Sequence, residues 1–143
     1  MNTLEINNYF RNCKKYYGTY PRDMLPKYIP KDSGIIINTD KSSQPGEHWV
    51  SIFKTKSGPL VYFDSFGLPP LHKEITDFIE VNTINGWFYN SINFQSIYSD
   101  TCGLYCIYFL TNYFNNGDFE NIQNVFCFSP MYNDRIAKLL RKW

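Results

Sequence analysis

The sequence lacks the features that mark membrane-spanning, secreted and nucleic-acid-binding chains. It has no apolar run of the roughly 18–20 residues that a membrane-spanning helix needs. Residues 1–10, MNTLEINNYF, lack the charged and then apolar pattern of a secretory signal. The formal net charge is only +1, so no excess of positive charge points to DNA, RNA or anionic lipid. We expect an intracellular chain that is not secreted, has no membrane partner and does not bind DNA strongly.

Cysteine and histidine are scarce, and their spacing argues against most metal sites. The only histidines are His48 and His72, and the four cysteines stand at positions 13, 102, 106 and 127 without a CxxC pair. In the absence of a secretory signal they do not indicate a disulfide framework. Cys102 and Cys106 are one helical turn apart, but a second close pair of ligands is missing. We expect free thiols in a reducing compartment, with no metal and no other cofactor.

Internal repeats, low-complexity tracts and linkers are also missing. A chain of 143 residues is long enough for one hydrophobic core, so we expect a single domain over residues 1–143. Hydrophobic residues make up 43 % of the chain and charged residues 19 %, as is typical of globular proteins.

Hydrophobic periodicity and turn residues predict an order of elements. They predict helices at about residues 4–15, 71–82, 102–114 and from 129 onwards, and strands at 34–38, 48–54, 59–64 and 87–94. Residues 16–30 are expected to be irregular, because glycine and prolines interrupt them. The last helix is predicted to have an apolar face formed by Tyr132, Ile136, Leu139 and Leu140. This order predicts an α+β domain in which helices pack on a central mixed or antiparallel sheet.

The stretch SDTCGLYCIYFLTNYF, residues 99–114, places Cys102 in the first turn of the most apolar predicted helix. Asp100 or Thr101 is a good candidate for the N-cap. Unpaired backbone N–H groups and the helix dipole favour an anion at such a position and lower the pKa of a thiol. A free cysteine on an apolar helix is usually a buried core residue, however. The position alone therefore leaves both interpretations open.

A nucleophilic cysteine needs a histidine base that is oriented by a third group. His72 lies early on an amphipathic predicted helix, where a solvated surface role is expected. His48 instead begins a strand, and a hairpin turn centred near Lys56 would place it directly opposite Asp64. An aspartate at the end of a strand is often only a turn former. Facing a histidine across the hairpin, Asp64 becomes the candidate orienting carboxylate.

The remaining part of such a site is a donor for an oxyanion. Gln95 lies at the end of a predicted strand, in the loop that leads to Cys102. Its side-chain N–H could act together with the backbone N–H of Cys102 on a developing negative charge. The candidate catalytic set is therefore His48, Asp64, Gln95 and Cys102.

The segments around these residues resemble, in the same order, the adenovirus endopeptidase (adenain) family of cysteine proteases. The resemblance is carried by GEHWVSIF (46–53), YFDSFG (62–67), NFQ (93–95) and DTCGLYCIYFL (100–110). Upstream, YYGTYPRDMLP (16–26) and GIIINTD (34–40) resemble that family's N-terminal segments. The resemblance extends from about Tyr16 to Phe114.

The resemblance implies a fold and a role for each candidate. The implied fold is papain-like with a rearranged chain order, in which the histidine comes first and the cysteine last. Of the four matching residues, His48 would be the general base, Asp64 its acidic partner, Gln95 the oxyanion-hole residue and Cys102 the nucleophile.

The resemblance also implies an activity and partners. The chain would be a viral thiol protease that cleaves structural or capsid precursor proteins at small-residue sites, often glycine, during virion maturation. It would act on polypeptides as a monomer, in the virion or the infected cell. Known members of the family are stimulated by a viral peptide and by DNA. An activating peptide is left open for this chain, and its near-neutral charge weakens the case for DNA.

Three alternatives to this function are consistent with the same residues. The first is a deconjugating protease for a ubiquitin-like modifier, whose Gly-Gly end suits a narrow cleft. The second is an acyltransferase that uses the same histidine, acidic residue and cysteine but transfers the acyl group to an amine. The third is a catalytically silent capsid or packaging component.

Overall fold

The chain folds into helices that cover both faces of a mixed sheet. The computed structural model describes residues 1–141, and within them the chain forms five α-helices, five strands and one 3-10 turn. The elements are α1 (Thr3–Tyr9), β1 (Tyr16–Pro21), the 3-10 turn (Arg22–Met24), β2 (Ser33–Asn38), β3 (Trp49–Lys54), β4 (Leu60–Phe63), α2 (Lys73–Asn82), β5 (Trp87–Tyr89), α3 (Cys102–Phe114), α4 (Phe119–Val125) and α5 (Pro130–Leu140). The predicted α+β class is confirmed.

The sheet has the strand order β1-β2-β3-β4-β5. The outer pairs, β1 with β2 and β4 with β5, are parallel, whereas the inner pairs are antiparallel. Strands β2, β3 and β4 are buried along almost their whole length. Such burial follows from helices on both faces, and it explains why these strands consist largely of continuous apolar runs.

Strand β3 shows how the two faces are divided. Trp49 and Phe53 belong to the core cluster that contains α3, whereas Val50 and Ile52 belong to the cluster that contains α2. The predicted alternation along this strand is therefore confirmed. Helix α3 also lies close over β2, since a Cβ atom on Gly34 would come within 2.5 Å of the Leu110 side chain.

Four elements differ from the sequence prediction. Strand β5 ends at Tyr89 and not near residue 94, so Gln95 lies in a loop and not at the end of a strand. Helix α1 ends at Tyr9 and not near residue 15. The supposedly irregular segment 16–30 contains strand β1, because an edge strand tolerates the positive φ of Gly18 and a proline at its end. Helix α4 was not predicted; its start is fixed by reciprocal hydrogen bonds between Asp118 and Asn121.

The register of the hairpin β3–β4 also differs from the predicted one. Ser51 pairs with Phe63, two residues beyond the partner that a turn centred near Lys56 would give. The prediction that His48 lies directly opposite Asp64 in the sheet is therefore wrong. Asp64 follows the last paired residue of β4 and begins a turn, in which the N–H of Gly67 donates to the Asp64 carbonyl oxygen at 2.8 Å.

The buried face of α5 differs from the predicted apolar face. Tyr132 and Leu139 are largely exposed, while Asn133 and Asp134 are buried together with Ala137. The two polar side chains can be buried because each has hydrogen-bond partners in the core. The predicted start of this helix is correct, with Ser129 at the N-cap and Pro130 at the first position.

No helix within residues 1–141 is both long enough and apolar enough to cross a bilayer.

Candidate active site

Cys102 is the first residue of α3 and lines a cleft of about 820 Å³. The residue is buried, with 7 % of its surface exposed. Thr101 occupies the N-cap position, but its hydroxyl donates to Asp134 and does not cap the helix. The backbone N–H groups of the first turn, including that of Cys102, therefore have no side-chain cap and can act on a negative charge.

His48 lies directly before β3, and two contacts fix its imidazole ring. The Nε2–H group donates to Asp64 Oδ1 at 2.9 Å. The ring stacks on Phe66, with 4.9 Å between centroids and an interplanar angle of 26°. Because Nε2 is engaged with the carboxylate, Nδ1 is the ring nitrogen that is left for Cys102. The contact that the sequence predicted between His48 and Asp64 is present, although it does not arise from a directly opposed pair in the sheet.

Asp64 is a buried carboxylate whose own position is fixed by the backbone around it. The N–H of Phe66 donates to Asp64 Oδ1 at 2.8 Å. The buried side chain of Asn90 accepts from the Asp64 N–H at 3.0 Å and donates to the Asp64 carbonyl oxygen at 2.6 Å. Sequence reasoning missed Asn90, because only the fold brings the end of β5 next to the end of β4.

The ionisation of Cys102 and His48 is coupled. Burial alone would lower the pKa of His48, but hydrogen bonds to Asp64 and Cys102 and their negative charges raise it to about 9. Burial alone would raise the pKa of Cys102, but the hydrogen bond and charge of His48 lower it below the ordinary thiol value. The N–H groups of Trp49 and Gly103 lower it further. The arrangement therefore stabilises a Cys102 thiolate next to a protonated His48.

Gln95 is buried and lines the same cleft as Cys102. Its Oε1 accepts a hydrogen bond from the hydroxyl of Ser65, and its Nε2 donates to the carbonyl oxygen of Ser99 at 2.8 Å. These two bonds fix the orientation of the amide. Since Nε2 carries two hydrogens, one N–H remains for a group bound in the cleft.

Trp49 forms a wall of the cleft next to Cys102. Its indole N–H donates to the carbonyl oxygen of Met1 at 3.0 Å. A Cβ atom on Gly103 would lie 3.0 Å from the Met1 sulfur and 3.3 Å from the Trp49 ring. Glycine at position 103 therefore lets the first turn of α3 pack against this wall.

His72 lies outside the cleft. It is half-buried at the N-cap position of α2, and its Nδ1 accepts a hydrogen bond from Arg22 at 3.0 Å. Within residues 1–141, no group of three or more histidine, cysteine or carboxylate side chains is arranged to hold a metal ion. The structure thus brings His48, Asp64, Gln95 and Cys102 together and leaves His72 apart.

No protein-family model matches this sequence. The chain is 32 % identical over 153 residues to a protein of Acanthamoeba polyphaga mimivirus that carries the name "Putative thiol protease R355". This match covers 85 % of the chain and 50 % of the mimivirus protein. The chain therefore spans about half the length of this curated relative.

The fold is similar to that of the ASFV pS273R protease. One crystal structure of that protease matches with a TM-score of 0.63 and 16 % identity, covering 94 % of this chain and 62 % of the other. A selenomethionine crystal structure matches with a TM-score of 0.50 and 24 % identity, covering 62 % of this chain and 36 % of the other. At these identities the likeness establishes the fold, and the predicted papain-like α+β architecture is confirmed. The resemblance to the adenovirus endopeptidase family in particular stays a prediction.

Proposed function

We propose that this chain carries the catalytic centre of a viral cysteine endopeptidase. In this proposal Cys102 is the nucleophile, His48 the general base and acid, Asp64 the group that orients the imidazole, and Gln95 an oxyanion donor. The observation that carries the proposal is the His48–Asp64 hydrogen bond of 2.9 Å beside a cysteine whose pKa is lowered at a helix N-terminus. The mimivirus relative, named as a thiol protease, supports the same class of activity.

The first step is attack by the Cys102 thiolate on the carbonyl carbon of the scissile bond. A bond forms between Sγ and that carbon, and the π electrons of the carbonyl move to its oxygen. The side-chain N–H of Gln95 and the backbone N–H of Cys102 hold the resulting oxyanion. Because both donors are fixed before the reaction, little reorganisation is needed as the charge develops.

His48 then carries the proton to the leaving group. The imidazolium donates its proton to the amide nitrogen, the C–N bond breaks, and the amine product leaves a thioester on Cys102. Neutral His48 next removes a proton from water, whose oxygen attacks the thioester. Collapse of the second intermediate expels the thiolate, releases the carboxylic acid and restores the ion pair.

The substrates that we propose are viral structural or capsid precursor proteins, cut at glycine-containing sites during virion maturation. Support comes from the resemblance of the segments around His48, Asp64 and Cys102 to the adenovirus endopeptidase family, and from the viral origin of the relatives. The cleft has a volume of about 820 Å³ and is lined by residues from several separate segments of the chain, and we propose that it binds an extended polypeptide. We further propose that the chain acts as a monomer in the infected cell or the virion, with an activating peptide still to be tested.

A panel of three substrate types tests this proposal. The purified chain is incubated with glycine-containing peptides, with a ubiquitin-like modifier fused through its Gly-Gly end, and with an acyl donor plus an amine. Products are identified by mass spectrometry, and the Cys102→Ala variant serves as the negative control. We expect cleavage of the peptides by the wild-type chain and none by the variant.

The other outcomes separate the alternatives. Processing of the modifier fusion alone would favour a deconjugating protease, and acyl transfer without cleavage would favour an acyltransferase. If a well-folded wild-type chain processes no substrate and an electrophilic peptide fails to label Cys102, the proposal is wrong and a non-enzymatic role is favoured.

A further inference from the structure

A buried carboxylate outside the proposed catalytic set binds both ends of the segment that connects Gln95 to Cys102. It belongs to Asp134 on α5. Its Oδ2 accepts a hydrogen bond from the backbone N–H of Ser96 at 3.2 Å, and its Oδ1 accepts one from the Thr101 hydroxyl at 3.0 Å. Ser96 directly follows Gln95, and Thr101 directly precedes Cys102. One side chain therefore fixes the chain next to both proposed oxyanion donors.

The Asp134 carboxylate has a third donor inside α3. The Tyr105 hydroxyl donates to Asp134 Oδ1 at 2.9 Å. Burial and the adjacent Asp134 charge raise the pKa of Tyr105, so the phenol keeps its proton and stays a donor. Asp134 itself is buried, and three hydrogen bonds compensate for the loss of its hydration.

Hydrophobic packing contributes little to holding the middle of this segment. Ile97 and Tyr98 are 75 % and 90 % exposed. The segment is held instead by polar contacts, among them the bonds to Asp134 and the bond from Gln95 to the Ser99 carbonyl oxygen. The positions of the Gln95 amide and of the first turn of α3 therefore depend on a small number of hydrogen bonds.

We propose that Asp134 is a positioning residue that sets the separation between the Gln95 side-chain N–H and the Cys102 backbone N–H. It would act through Ser96 at one end and Thr101 at the other, so that both donors are in place when the carbonyl oxygen becomes an oxyanion. This inference rests on the proposed function. Oxyanion stabilisation depends on donors that are placed before charge develops, so a shift of about 1 Å at either donor is costly.

The test compares a reaction that forms an oxyanion with one that does not. A peptide aldehyde ending in glycinal adds to a thiolate through its carbonyl carbon and places its oxygen where the oxyanion would lie. Iodoacetamide alkylates the same sulfur by displacing iodide and forms no oxyanion.

For Asp134→Asn, we expect kcat for a glycine-containing peptide to fall at least about tenfold and aldehyde inhibition to weaken at least about tenfold. We expect KM and the rate of Cys102 alkylation to change less than about threefold, because the thiolate and His48 are not contacted by Asp134.

Asn82→Ala is the matched control for general loss of stability. Asn82 is buried on α2 and makes hydrogen bonds to Lys27, Ile29 and Phe78, none of which lines the cleft. This variant should lose stability but keep both kcat and aldehyde inhibition. If Asp134→Asn does not fold, Thr101→Val removes one of the three hydrogen bonds to Asp134, together with the contact between the Thr101 and Ser99 hydroxyls, and should weaken aldehyde inhibition without changing alkylation.

The remaining outcomes contradict either the positioning role alone or the proposed function as well. Wild-type kcat and aldehyde inhibition in a folded Asp134→Asn variant would overturn the positioning role. Equal losses in alkylation and in aldehyde inhibition would also overturn it, because they would show a general disruption of the site. A wild-type chain that neither cleaves the peptide nor binds the aldehyde would overturn the proposed function and this inference with it.

Discussion

Two successive turns of the same helix shift the pKa values of two cysteines in opposite directions. Cys102 and Cys106 lie one turn apart on α3, and both belong to the core cluster on the same face of the sheet. Cys102 lines the cleft, and His48 and nearby N–H groups lower its pKa. Complete burial, followed by the charge of Cys102, raises the pKa of Cys106 well above the ordinary value.

The comparison shows which features make a thiol reactive in this fold. Apolar surroundings and a place on α3 are common to both cysteines and therefore do not determine reactivity. The differences are the free N–H groups at the helix N-terminus, the imidazole and the access to solvent. Only Cys102 has these three features, so Cys106 is expected to act as a small packing residue.

The largest expected effect on activity comes from replacing Cys102, the cysteine that lines the cleft. Cys102→Ala should lower kcat/KM for a glycine-containing peptide by at least about 10⁴-fold, because no other group can form the thioester. Peptide hydrolysis monitored by chromatography measures the loss. Cys127→Ala, which removes an exposed thiol, is the control and should keep full activity. Residual turnover of Cys102→Ala near the wild-type level would contradict the assignment.

Removing the side-chain oxyanion donor should have the next largest effect. Gln95→Ala is expected to lower kcat by about 10²–10³-fold, the usual cost of losing one such donor. The rate of Cys102 alkylation by iodoacetamide should stay within about threefold of the wild type, because alkylation forms no oxyanion. A Gln95→Ala variant with unchanged kcat would show that Gln95 is only a structural residue.

Changing the carboxylate behind the histidine should have a smaller effect that also depends on pH. Asp64→Ala should lower kcat/KM by about 10–10²-fold because the imidazole loses its orienting partner. Asp64→Asn keeps a hydrogen-bond acceptor and should cost less. Loss of the Asp64 charge lowers the pKa of His48 from about 9, so the fall in activity at alkaline pH should move to lower pH in both variants. Measurements of kcat/KM between pH 5 and pH 10 test this. If activity falls at the same alkaline pH in the variants as in the wild type, the proposed role of Asp64 is contradicted.

The smallest expected effect is that of replacing Cys106, the cysteine with no exposed surface. Cys106→Ala should change kcat/KM by less than about threefold and lower the free energy of unfolding by about 1–2 kcal/mol, because it leaves a small cavity in the core. Urea unfolding and peptide hydrolysis measure the two quantities. A loss of activity in Cys106→Ala comparable with that of Cys102→Ala would remove the contrast between the two thiols.

The sequence indicated which side chains lie close together at the candidate site better than it indicated the register of the sheet. Cys102 could be placed at the start of α3 because a polar stretch meets a strongly apolar helix there. The pairing of β3 with β4 was misplaced because the turn is centred near Ser57, and a register cannot be read from the two strands alone. His48 still reaches Asp64, since the chain turns directly after β4.

The supporting contacts of the site could not be predicted, for a physical reason. Asn90 and Asp134 bind backbone or side-chain groups that lie far away in the sequence, and nothing local marks them as buried. The hydrophobic pattern of α5 pointed to Tyr132 and Leu139 instead, because it does not account for polar side chains that find partners in the core. Contacts of this kind appear only when the elements are assembled.

The most direct test of the central claim is the pH dependence of Cys102 alkylation in the wild-type chain and in His48→Ala. The modified peptide that contains residue 102 is quantified by mass spectrometry after brief exposure to iodoacetamide. The wild-type midpoint should lie below the ordinary thiol pKa of about 8.5, and the His48→Ala midpoint should be higher by at least about one pH unit. Equal midpoints in the two proteins, or a wild-type midpoint at or above the ordinary value, would contradict the claim that His48 holds Cys102 as a thiolate.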